Sequence, residues 1–203
     1  MSNRTNPTEL PHHGTRRESK RLCARVFRPL TLIACGCAFL TSLLVAADSP
    51  SLDPHLESLR PWLGKTWRGE FKESKPDRPV VDVALWERAL NGKAVRIQHS
   101  INDGVYGGES IVTWDEGAKA VVYHYFTTAG FMTKGTMTLK DGVVETLEVV
   151  SGDANGITEV RGRTEMGADG TFHVKTEYRK DGVWAPGREA TYKPAPEAKV
   201  IFK

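Results

Sequence analysis

The chain has 203 residues, with 28 Lys+Arg against 25 Asp+Glu, and its excess of base sits at one end. Seven of the basic residues (Arg4, Arg16, Arg17, Lys20, Arg21, Arg25, Arg28) but only two acids (Glu9, Glu18) precede Asp48, so the remainder carries a formal charge of −2. That balance excludes the basic footprint of a nucleic-acid-binding domain, and no nucleic-acid partner is expected.

The basic stretch ends at Arg28, an uncharged run follows from Pro29 to Ala47, and Asp48-Ser49-Pro50 closes it. Charged n-region, apolar h-region and polar exit occur in the order of a secretory signal. Val45-Ala46-Ala47 offers a signal peptidase its small residues, which places cleavage after Ala47. Residues 1–47 are then a signal peptide or membrane anchor, and 48–203 the exported domain. The anchor stays open because a run of this length, at about 1.5 Å per residue, reaches roughly 28 Å, close to the ~30 Å of a bilayer core. Contact with a membrane is expected only through 29–47, if it is uncleaved. Leu32-Ile33-Ala34-Cys35 has the form of a lipoprotein cleavage site, but its apolar run is longer after the cysteine than before it, the reverse of such signals. Arg16-Arg17 is followed by Glu18-Ser19-Lys20 and lies far from the apolar run, which argues against twin-arginine export. The expected location is across the inner membrane, periplasmic or secreted.

All three cysteines (Cys23, Cys35, Cys37) fall in this leader. The domain beyond Ala47 therefore holds no disulfide, thiolate nucleophile or cysteine-bound metal. Its 156 residues make one ordinary domain, large enough to be stabilised by burial alone.

Leu52 to Arg60 reads as a short helix, with Asp53 as N-cap, Pro54 at the first helical position and Pro61 as its stop. Turn signals then recur at Asn91-Gly92, Asp103-Gly104, Asp115-Glu116-Gly117, Ala129-Gly130, Asp141-Gly142, 151–156, 167–170 and Asp181-Gly182. Between them lie ten segments rich in Val, Ile, Thr, Trp and Tyr: 65–73, 79–90, 93–102, 105–115, 118–127, 131–140, 143–150, 157–166, 170–179 and 183–193. With no long crossover, sequence neighbours pair. Ten strands in an open sheet leave two edges, and closure removes both. The expected fold is all-β: a ten-stranded antiparallel up-and-down barrel with a short N-terminal helix, preceded by an export segment.

Alternation assigns the faces. Val95, Ile97, His99 and Ile101 oppose Ala94, Arg96, Gln98 and Ser100, and Phe172, Val174, Thr176 and Tyr178 oppose His173, Lys175, Glu177 and Arg179. Gly107-Gly108, Gly135 and Gly162 fall inside strands and are expected to mark bends or bulges. Pro186-Gly187 interrupts the last strand, limiting its expected pairing to 188–193.

A short helix, then Trp62-Leu63-Gly64-Lys65-Thr66-Trp67-Arg68-Gly69-Glu70, then a ten-strand meander closing on Ala190-Thr191-Tyr192-Lys193, resembles the lipocalin-like (calycin) superfamily. The nearest likeness is to nitrobindin-like and uncharacterised exported barrels, whose Leu-Gly-Thr-Trp-x-Gly opening is here interrupted by Lys65. The resemblance implies a haem-binding histidine just before the closing Thr-Tyr, where this chain has Arg188 and Glu189. A carboxylate is a poor axial ligand beside an imidazole, so no cofactor is expected. It also implies that Trp67 packs across the closed end beneath Arg188 or Arg179.

Of the four histidines after Ala47 (His55, His99, His124, His173), His99 lies on an apolar face, where an imidazole needs a polar partner. Glu109 on the adjacent strand is the expected partner, forming an acid–base pair or a pair that holds the hairpin register. Tyr123 and Tyr125 share one face and His124 and Phe126 the other; either set can line a cavity or simply pack. Trp86 and Arg88 share a face, and if it points inward Arg88 can hold a ligand carboxylate. No histidine spacing advertises a metal site, and no nucleophile elbow or phosphate loop occurs. Glu145 and Glu148 read as solvated.

The reading that best fits these features is an exported binding module for a small, partly apolar ligand, with Trp86, Arg88, His99, Glu109, Tyr123, Tyr125 and Tyr178 as its lining and no catalytic residues. A filled barrel acting through its surface in the cell envelope is the alternative. An enzyme using His99 and Glu109 is the third reading.

Overall fold

The structure, a computed structural model, describes residues 51–203; the expected export segment, with its cysteines, lies outside the described residues. Ten strands follow in order: β1 (Lys65–Phe71), β2 (Val81–Ala89), β3 (Ala94–Ile101), β4 (Tyr106–Asp115), β5 (Ala120–Thr127), β6 (Met132–Lys140), β7 (Val143–Ser151), β8 (Ile157–Met166), β9 (Phe172–Lys180) and β10 (Val183–Pro194). Each pairs antiparallel with its sequence neighbours, and β1 pairs with β10 to close the barrel. Asp141-Gly142 and Asp181-Gly182 form two-residue hairpin turns with both residues at positive φ, which suits the right-handed twist of the flanking strands.

The helix differs from expectation. It is a 3₁₀ helix, Pro54–Trp62, and it runs through Pro61 instead of stopping there. Its buried residues Leu56, Leu59 and Trp62 recur every three positions, the period of a 3₁₀ turn, so they form one ridge. Asp53 caps it by accepting the His55 N–H at 3.1 Å. Hydrogen bonds from His55 and Lys93 hold the Asp53 carboxyl down at about 2.

That ridge plugs one end of the barrel. The Asp53 N–H donates to Gly92 O in the β2–β3 connection, and His55 stacks on Trp114 at 3.7 Å. Trp62 faces Trp86 at 5.8 Å, and Trp67 meets Phe172 edge-on at 4.9 Å while donating Nε1–H to the Trp62 carbonyl. Val95, Val112, Val121 and Val144 complete the filling from the strands. The implied arginine over Trp67 is absent: Lys65 approaches that ring, Arg188 lies over Phe71 and Arg179 is paired with Glu159.

The strand glycines also differ from expectation. Register is continuous through Gly107-Gly108, Gly135 and Gly162, while the irregularities fall at Pro186/Glu189 and Ile157/Glu159. β10 therefore pairs on both sides of Pro186-Gly187, which it absorbs as a bulge. Beyond β10, segment 195–203 returns along the outer face, where the Ile201 N–H donates to Ser100 Oγ at 3.0 Å.

Because Leu59 is fully buried in the plug, Leu59→Ala is expected to cost about 3 kcal/mol. Urea unfolding followed by tryptophan fluorescence measures it; a loss under about 1 kcal/mol would show that the helix is not part of the core.

Candidate functional site

The plug leaves the other half of the barrel open. A cavity of about 590 Å³ reaches from Asp82, His99 and Tyr192 to the β5–β6 and β7–β8 turns at Ala129 and Asn155. Phe71, Ile101, Phe131, Val150, Ile157 and Val174 supply apolar wall. Polar groups enter at Tyr106, Ser110, Tyr123, Tyr125, Thr133, Glu148, Tyr178 and Arg188.

The strands bring four of the seven sequence-predicted residues to this cavity: His99, Tyr123, Tyr125 and Tyr178. Trp86 points inward but belongs to the plug. Arg88 sits at the plugged end, with Nε donating to Ser51 O, and is exposed. Glu109 is on the outer face, accepting from Gln98 Nε2 at 2.8 Å, so the expected His99–Glu109 pair does not form. The β3–β4 register puts Gly108, not Glu109, opposite His99. His124 and Phe126 stack outside at 6.4 Å, leaving the Tyr123/Tyr125 set inside.

The partner of His99 is Asp82, its diagonal neighbour on β2, with Nδ1 and Oδ1 2.9 Å apart. Asp82 is buried and also accepts the Tyr192 hydroxyl at 2.6 Å. On its other side, His99 Nε2 lies 2.6 Å from the Tyr125 hydroxyl, which lies 2.8 Å from that of Tyr106. Glycine makes this reach possible. Tyr125 comes from β5 and His99 from β3, and a Cβ on the intervening Gly108 would strike the Tyr125 ring. Tyr192 lies over Gly69 in the same way, at 2.8 Å from where a Cβ would stand.

A carboxylate only accepts, so when the His99 imidazole is neutral its single proton lies on Nδ1 and is donated to Asp82. Nε2 then accepts from Tyr125, and the Tyr125 oxygen accepts from Tyr106. Burial pushes the Tyr106, Tyr123 and Tyr125 phenols up and away from ionisation, so each of them remains a neutral donor and acceptor.

Glu148 corrects the reading of that residue as solvated. Glu145 does face out, meeting Arg163, but Glu148 has the opposite parity on β7 and points into the cavity, where it accepts from Thr133. Burial pushes its carboxyl above the ordinary 4.5, against the opposing pull of hydrogen bonds from Thr133 and Tyr123. Arg188, also missed, is the sole Lys or Arg among the cavity's lining residues; its guanidinium lies over Phe71, 4.9 Å from the ring centroid. Alternation on β10 was a usable signal for Arg188, which shares the parity of Ala190 and Tyr192, whereas on β7 both parities carry apolar residues and gave none for Glu148.

His99 is the sole histidine in the cavity lining, and both its ring nitrogens are engaged. With Arg188 and Glu189 at the position that the resemblance assigns to a histidine, these residues do not fit a haem held by an imidazole. Among the described residues no group of three His, Cys, Asp or Glu is placed to hold a metal ion.

The described residues thus form a closed ten-strand barrel plugged at one end and hollow at the other. It is similar to the crystal structure of Rv2717c from M. tuberculosis, with a TM-score of 0.55 and 14% sequence identity over 71% of this chain and 99% of that one. At that identity the likeness is one of fold. No protein-family model matches the chain, and no curated protein does.

Glu148 makes a pH prediction. A carboxyl whose value rises on folding keeps its proton in the folded state where the unfolded chain has released it. Its stabilising contribution is full below 4.5 and is lost as pH rises through the raised value. Glu148→Gln keeps an acceptor for Thr133 without the charge, so its Tm relative to the native protein is expected to climb as pH increases from 4.5 toward neutrality. A difference independent of pH would place the carboxyl in solvent.

Proposed function

We propose that this protein is an exported, lipocalin-like barrel that binds a small, partly apolar ligand in the hollow half of its interior. The observation that carries the reading is the cavity itself: about 590 Å³ of space, apolar over most of its wall, with a few converging polar groups. Ligand sites commonly have a volume of roughly 300–1,000 Å³ and this make-up. A filled barrel would have spent that volume on side chains, as the plugged end does. The acid–base alternative is weaker because both His99 ring nitrogens are taken, Nδ1 by Asp82 and Nε2 by Tyr125. Support for export is the pattern of residues 1–47, and support for a lipocalin-like assignment is the helix, the Trp67 opening and the ten-strand closure together.

Native mass spectrometry of the protein taken from its own compartment is expected to show a non-covalent mass that denaturation releases. Val160→Trp, placed to fill the cavity from β8, is expected to abolish that mass without lowering Tm. Equal native and denatured masses would count against the reading. N-terminal sequencing of the same sample is expected to begin at Asp48; an intact leader would favour the anchor.

A further inference from the structure

The hydrogen-bond chain in the cavity has a direction, and the direction has a ligand preference. Asp82 can only accept, which in the neutral imidazole holds the single His99 proton on Nδ1 and makes Nε2 an acceptor. Tyr125 has one hydroxyl proton and commits it to Nε2, so in the Tyr125–Tyr106 contact Tyr106 is the donor. Tyr106 has then spent its proton as well. Its oxygen, in the cavity lining and with no second hydrogen-bond partner among the described residues, keeps lone pairs and nothing to donate.

We propose, resting on the binding reading above, that this end of the chain makes the site selective for ligands that present a hydrogen-bond donor, an alcohol, amine or amide N–H on an apolar body, over those presenting an acceptor alone. A ketone or ester oxygen at Tyr106 faces lone pairs, and meeting it requires breaking the Tyr106–Tyr125 bond. The discrimination is that of one buried hydrogen bond, about tenfold in Kd. Asp82 never touches the ligand; it is a positioning residue, and its role is to choose the tautomer.

Asp82→Asn tests this. Its amide oxygen can still accept from Tyr192 while its N–H donates to His99 Nδ1, which moves the ring proton to Nε2 and reverses each bond to Tyr106. The probes are decan-1-ol and decan-2-one, titrated into the full protein and followed by tryptophan fluorescence or calorimetry. The native protein is expected to bind the alcohol about tenfold more tightly, and Asp82→Asn to remove that preference, because the oxygen of either probe can accept from the freed Tyr106 hydroxyl. Nitrogen NMR of the His99 ring is expected to change from Nδ1–H to Nε2–H. Tyr125→Phe leaves Asp82 in place and releases the Tyr106 hydroxyl, bringing the two affinities to near parity. Ser110, Thr133 and Arg188 are unchanged across the three proteins, so the alcohol–ketone difference isolates the chain. Equal affinities in the native protein would overturn the proposal and leave the binding reading standing, as would a tautomer change with no change in preference. Failure of both probes to bind would overturn the two together.

Discussion

A closed sheet of ten strands encloses more interior than its own side chains fill, and the division of that surplus governs the rest of the molecule. Fill at one end comes from a short segment outside the sheet. Leu56, Leu59 and Trp62 form the ridge of a 3₁₀ helix, and Trp67, Trp86 and Phe172 pack against it from the barrel wall. Among the described residues no equivalent segment enters at the other end, and the inward side chains of the same strands face space there. One strand can thus serve both halves: β2 places Trp86 in the plug and Asp82 at the floor of the cavity, four residues away on the same face.

The two buried carboxylates illustrate how local partners set chemical character. Asp82 receives donors on both oxygens, from His99 and Tyr192, and these stand in for the water that burial removes. Glu148 accepts from Thr133 and meets no cation among the described residues, and burial pushes it toward its neutral form. A hollow barrel can carry such groups because the cavity is the one interior place where a ligand or solvent can complete their hydrogen bonding. On the outer face the pattern is different. Arg161, Arg163 and Arg179 each reach a glutamate across or along the strands, whereas Arg188, which points inward, lies over Phe71.

Glycine is what lets aromatic side chains cross this interior. Tyr125 reaches His99 only because Gly108 lies between them, and Tyr192 lies flat over Gly69 to reach Asp82. The sequence marks Gly108 as a glycine within a strand, for which a bend is the local expectation, and Gly69 only as part of the opening motif. Their actual use depends on which residue the neighbouring strand sets diagonally across from them.

Whatever has a local period was legible in the residues alone. Turn pairs such as Asp141-Gly142 delimit the ten strands, alternation puts His99 and Tyr178 inside, and the absence of crossovers orders the sheet. These follow from residues a few positions apart, so they can be read from the chain. His99's partner could not be read so safely, because a slip of one residue in register exchanges inside for outside; it is the difference between Glu109 on the surface and Gly108 beneath Tyr125. That Asp82 holds His99, that Glu148 is buried and that Trp86 belongs to the plug emerged only in the assembled barrel. The first two follow from the residues that paired strands set against one another in the closed sheet and the third from how far the helix fills the barrel, so all are properties of ten strands and one helix assembled together.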